Sequence, residues 1–135
     1  MDVTMATPLA HADPVVELLV SAADALHRAE RTGSAALRFE MAYLCTLRSG
    51  AAVLARRARP RSLRTRPRGM WALLAATAPE LAEWAQYFCV CGAHNTALLE
   101  GRAGISARQA DDLVRDAATF LVVARLAAAP RPRGT

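Results

Sequence analysis

The chain reads as an all-α protein, a four-helix up-down bundle with one short extra helix, and three observations lead there. Alanine is very abundant, while aromatics make up only 5 % of the residues and β-branched residues are few; strands depend on those two classes far more than helices do. Apolar residues recur at three- and four-residue spacing in four long runs, which is the period of a helix with one buried face. Each run opens on a capping signal, so the breaks between runs are chemically marked.

Residues 1–12 mix small and polar side chains without periodicity and are expected to be a flexible lead-in. Asp13 before Pro14 is an N-cap followed by the favoured first-turn proline. The first helix starts there, with Val15, Leu19, Ala22 and Leu26 on its buried face and Gly33 as its C′ residue. Ser34 caps a second helix reaching to about Arg57, whose stripe is Leu37, Met41, Leu44, Arg48, Ala52 and Ala55. So short a connection makes the two helices antiparallel neighbours.

Arg48 is the anomaly in that stripe, because a buried guanidinium without a partner is costly. The acidic cluster on the last helix supplies the expected acceptor, Asp112 or Asp116. The stretch Arg56 to Arg68, RRARPRSLRTRPR, then forms a loop: Pro60 and Pro67 lack an N–H and push the preceding residue out of the α region.

Met70 to Ala76 makes two helical turns, with Trp71 and Leu74 plugging one end of the bundle. Thr77 and Glu80 have capping-box spacing around Pro79, which predicts a long helix from about Pro79 to Glu100. Its stripe runs from the aromatics Trp84 and Phe88 to Gly92 and Asn95, a taper that predicts close helix approach near Gly92. Ser106 and Gln109 form another capping box and open the last helix, with Leu113, Ala117, Phe120, Leu121 and Ala124 inward, before Pro130 ends it and a disordered tail follows. The domain therefore covers residues 13–129.

A chain of 135 residues removes roughly 65–70 % of its unfolded surface from water on folding, enough for one core without metal or disulfide. Alanine-rich faces bury little area per residue, so the core is thin and homodimerisation is expected to make up the deficit. Three cysteines do not make a secreted disulfide framework. The N-terminus lacks a signal peptide's basic and apolar regions, and no apolar run reaches the eighteen residues a span needs. A cytoplasmic protein with no membrane contact is the expectation.

The net charge is +5, and all 17 basic residues are arginine. Seven of them lie between Arg56 and Arg68, so the charge is local. Arginine grips phosphates in a forked geometry, which makes Arg57, Arg59, Arg61, Arg64, Arg66 and Arg68 the candidate contacts for RNA or another polyanion. No aromatic lies among them to stack on bases.

Other chemistry finds little support. Cys89, Cys91 and His94 read C-x-C-x-x-H, but side chains two apart on a helix diverge by about 160°, so the cysteines cannot share a metal and packing explains them better. There is no P-loop, G-x-G-x-x-G, H-E-x-x-H or G-x-S-x-G. Neither a cofactor, a metal site nor a set of catalytic residues is predicted.

The strings LRSGAAVLARRARP (Leu47 to Pro60), MWALLAATAPELAEWAQYF (Met70 to Phe88) and ISARQADDLVRDAATFL (Ile105 to Leu121) resemble the actinobacterial SAV-type family of HEPN domains, the higher-eukaryote and prokaryote nucleotide-binding domains. The resemblance spans roughly residues 14–128. It implies a bundle of four or five helices, often dimeric, in a superfamily of metal-independent ribonucleases, toxins and non-catalytic RNA-binding or assembly modules. Its ribonucleases carry an arginine, four to six residues, then a histidine, a phosphate-binding cation beside a general acid or base. No arginine stands at that spacing before His11, His27 or His94. A non-catalytic module that binds nucleic acid or a protein partner is the leading expectation. The alternatives are a ribonuclease with a rearranged site built from His94, Arg102 and Arg108, and a purely structural subunit.

Overall fold

The computed structural model describes residues 12–57 and 68–130. The expectations of a flexible lead-in and a disordered tail fall almost wholly outside them. Five α-helices are present among the described residues: α1 Pro14–Arg31, α2 Ala35–Arg56, α3 Gly69–Thr77, α4 Ala82–Leu99 and α5 Ala107–Ala127, with a 3-10 turn at Pro79–Leu81. None of these helices is long and apolar enough to cross a membrane.

The caps explain the boundaries. Asp13 accepts from the Val15 N–H at 2.9 Å, with Pro14 as the first helical residue. Ser34 accepts from Leu37 N–H, and Ser106 and Gln109 form the complete reciprocal box at the start of α5, each cap being worth about 1 kcal/mol. Two expectations fail. The chain leaves α1 through Thr32 in extended conformation, and Gly33 is not among the positive-φ glycines, so it is no C′ cap. The Thr77–Glu80 box does not form either: Ala78 N–H still bonds to Leu74 O, so Thr77 is the last residue of α3 and its hydroxyl is buried without a partner. The predicted helix from Pro79 is instead a 3-10 turn followed by α4.

The bundle has α2 at its centre. Its contacts with α1 converge on the connecting turn, from Arg56–Asp13 through Arg48–Ser21 to Arg38–Thr32, which makes the pair antiparallel. Against α5 the partners are Arg38–Asp111, Cys45–Ala117 and Arg56–Ala128, separated by 73, 72 and 72 positions. That constant offset defines two parallel helices. Small residues allow their approach, with Ala42, Cys45, Ser49 and Ala52 of α2 and Ala110, Ala117 and Ala124 of α5 all buried.

On the other side an aromatic layer separates α4 from α5. Phe88 and Phe120 meet edge to face with centroids 4.8 Å apart, and Trp84 packs on both at 5.5 and 5.4 Å. Trp71, 7 % exposed, closes this layer at 5.3 Å from Phe88, as its place in the short helix predicts. Aromatic pairs of this kind contribute roughly 0.5–1.5 kcal/mol each beyond burial. At Gly92 the predicted close approach occurs, since a Cβ there would stand 2.9 Å from Tyr43 Cζ. The hydroxyl of Tyr43 in turn accepts from Trp71 Nε1 at 2.9 Å, which joins α2, α3 and α4 at one point.

Candidate nucleic-acid interface

The basic stretch leaves α2 at Arg57, its C-cap, and returns at Arg68, the residue before Gly69. Gly69 has φ +84°, a left-handed conformation that favours glycine, and the chain turns there into α3. Arg59, Arg61, Arg64 and Arg66 lie outside the described residues. Of the two that lie within them, Arg68 is exposed and has no side-chain capping bond, whereas Arg57 pairs with Glu80 of the 3-10 turn. That pairing holds the Glu80 carboxyl below the ordinary carboxylate range, chiefly through its hydrogen bond to Arg57.

Arg56, not singled out from sequence, is tied more firmly. Its Nε donates to Ala128 O at 2.8 Å and its Nη2 to Asp13 Oδ2 at 3.2 Å, so it pins the ends of α1 and α5 to the end of α2. A residue four places after Ala52 on a buried face was the available signal. The stretch thus begins with two arginines serving the fold, and at its other end Arg68 is exposed.

The predicted pair between Arg48 and Asp112 or Asp116 is not made. Arg48 Nη1 donates to Ser21 O of α1 at 3.2 Å. Asp112 accepts from Arg115, and Asp116 accepts from the Tyr87 hydroxyl at 2.6 Å. The reason is geometric: Arg48 lies on the side of α2 that faces α1, while both aspartates sit towards α4 and the exposed side of α5. Burial, and then the bond to Asp116, push the Tyr87 hydroxyl pKa upward, so it stays a donor.

Of the groups proposed for a rearranged ribonuclease site, His94 and Arg102 have separate engagements and Arg108 is exposed. His94 Nε2 lies 3.0 Å from Gly104 O and its ring packs 5.2 Å from Phe39, while Arg102 pairs with Glu100. No arginine is bonded to His94 among the described residues. The cysteines are equally dispersed. Cys45 is buried between Ser49 and Ala117 O, and burial pushes its thiol up to about 11. Cys91 is buried and also shifted upward by desolvation, and Cys89 is exposed. No group of three or more His, Cys, Asp or Glu side chains among the described residues is placed to hold a metal.

No curated protein and no solved structure matches the chain. A family model does, the SAV-like HEPN domain, over residues 29–125. The match takes in the end of α1, all of α2, α3 and α4, and nearly all of α5, and therefore the whole frame that carries the basic stretch. With well over half of its length matched, the chain belongs to the SAV-type HEPN family.

Proposed function

We propose that this protein is a non-catalytic HEPN module of the cytoplasm that binds RNA through Arg59, Arg61, Arg64, Arg66 and Arg68. The observation that carries the reading is the division of labour at Arg56 to Arg68, where the first two guanidiniums are spent on Ala128, Asp13 and Glu80 and Arg68 stands exposed. Arg56 and Arg57 are two of the seven arginines in that stretch. Such a site works by releasing counterions and does not read bases, because it offers charged forks without a stacking platform. The separate engagements of His94 and Arg102 favour binding over cleavage.

The test is fluorescence anisotropy with single-stranded RNA across a salt series, alongside a metal-free cleavage assay. Log affinity is expected to fall with log salt at about −0.7 per phosphate neutralised, and the triple replacement Arg59→Gln, Arg61→Gln, Arg64→Gln is expected to flatten the slope by about two units. Its stability should stay within about 0.5 kcal/mol of the parent. A salt-independent affinity, or a triple variant that binds as well as the parent, removes the reading; RNA cleavage in the absence of metal replaces it with the ribonuclease.

Homodimerisation through the outer side of α4 is part of the same reading. No charged residue occurs from Trp84 to Leu99, and Val90 on the side away from Phe88 is 67 % exposed. Among the long helices of the described residues, α1 and α5 interleave their exposed apolar residues with charges, whereas α4 offers a copy of this basic chain a neutral face. Sedimentation velocity should show a dimer that Val90→Glu converts to monomer, and a parent that sediments as monomer at micromolar concentration refutes it.

A further inference from the structure

Arg48 and Arg28 share a small recess between α1 and α2. It is lined by Ser21, Asp24, Ala25 and Arg28 from α1 and by Met41, Leu44 and Arg48 from α2, and holds about 190 Å³. The α1 residues fall on one helix face by their spacing of three and four. Arg48 stands in the apolar stripe of α2 and is only partly exposed. One of its five N–H donors reaches Ser21 O, and none of the ion pairs among the described residues involves Arg48 or Arg28. Asp24 lines the recess but lies beyond pairing distance of both. The recess therefore has two guanidiniums against one carboxylate, with Met41, Leu44 and Ala25 beside them, and an excess positive charge.

From this juxtaposition we infer that the recess is an anion site for a single phosphate group, gripped by Arg48 and Arg28. A water molecule takes about 30 Å³, so the space equals about six waters. That admits one tetrahedral oxyanion with residual water. Arg48 supplies a preorganised fork because its bond to Ser21 fixes the guanidinium, and the exposed Arg28 lines the same recess. Charge-assisted bonds from arginine to phosphate are the strong class, and the partly desolvated surroundings strengthen them. Asp24 opposes the ligand and tunes its affinity downward. This site is separate from the stretch Arg56 to Arg68 and does not depend on its function.

The experiment is calorimetric titration of the full chain with inorganic phosphate at constant ionic strength, repeated in the Arg59→Gln, Arg61→Gln, Arg64→Gln background. One phosphate per chain is expected, with unchanged affinity in that background. Arg48→Met should weaken binding at least tenfold, and Arg28→Gln should weaken it severalfold. Asp24→Asn should tighten it severalfold, a gain that a merely structural Asp24 would not give. Should Arg48→Met fail to fold, Arg28→Gln and Asp24→Asn carry the test, since both residues are exposed. A short RNA with a 5′-phosphate should displace inorganic phosphate if the group belongs to an RNA end, and its 5′-hydroxyl counterpart should not; displacement by neither assigns the site to free phosphate. No phosphate binding by the parent, an Arg48→Met protein that binds as tightly, weaker binding in Asp24→Asn, or affinity lost with the three loop arginines each overturns the inference.

Discussion

Replacing Gly92 by alanine should destabilise the protein, against the usual sense of that change in a helix. In an exposed helix interior Gly→Ala gains about 1 kcal/mol. Here the new methyl would stand 2.9 Å from Tyr43 Cζ and closer still to its hydroxyl. The ring cannot simply yield, because its hydroxyl is the acceptor for Trp71 Nε1. If Tyr43 swings aside, that indole N–H loses its partner, at about 1–3 kcal/mol; if it stays, overpacking costs about 1–3 kcal/mol. After the propensity gain, a net loss of up to about 2 kcal/mol is expected in a urea melt, or up to several degrees in Tm. Gly50 provides the contrast. A Cβ there would meet the flexible end of Met70 at 2.6 Å and Trp71 Cζ3 at 3.2 Å, so Gly50→Ala should stay within about 1 kcal/mol of the parent as Met70 turns away. In a Tyr43→Phe background the loss at Gly92 should shrink by about 1 kcal/mol, since the obstructing oxygen is gone. A Gly92→Ala protein more stable than the parent refutes the close approach of α2 and α4.

Two further outcomes follow from the ionisable groups. The Glu80 carboxyl is held below its ordinary value by Arg57, so its contribution is fully present above the unfolded value of about 4.3 and is lost as pH falls through the lower folded value. Acid melts should therefore show Glu80→Gln losing less stability than the parent on going below pH ~4, by under about 1 kcal/mol because the pair is half exposed; equal acid sensitivity would dismiss the pair. With a thiol-reactive disulfide reagent at pH ~8, exposed Cys89 should react at once, while Cys45, pushed up to about 11, and Cys91 wait for unfolding. Three equivalents reacting together in the folded protein would contradict their burial.

Much of the fold could be read in the sequence where a local signal had no competitor. Asp13–Pro14 and Ser106–Gln109 placed the starts of α1 and α5 because each motif is satisfied within its own turn. The Thr77–Glu80 spacing is equally good on paper, yet α3 was already running through Thr77 and Ala78 N–H found Leu74 O first. Capping is a competition between neighbouring turns, which spacing alone does not rank. Arg48 shows the other limit. Periodicity put it in a stripe with Leu37, Met41 and Ala55, which the structure leaves half-buried or exposed because the buried side of α2 runs through Phe39, Ala42, Cys45 and Ser49; the helix facing Arg48 is α1, whose Ser21 carbonyl takes the place assigned to an aspartate. Arg56 was hidden for the same reason: its partners, Asp13 and Ala128, are 43 and 72 positions away.

The parallel seating of α5 on α2 bears on how the protein is made. The hairpin of α1 and α2 is local and can form early, but the small-residue face of α2 stays open until a segment some 72 positions later arrives. Closing so long a loop is slow compared with forming a helical hairpin. On the ribosome the hairpin therefore waits, with Ala42, Cys45 and Ala52 uncovered, until Ala124 has emerged. Synthesis halted anywhere in α3 or α4 yields a chain with a sticky alanine face and no means of burying it, and that intermediate is the one a chaperone would have to hold.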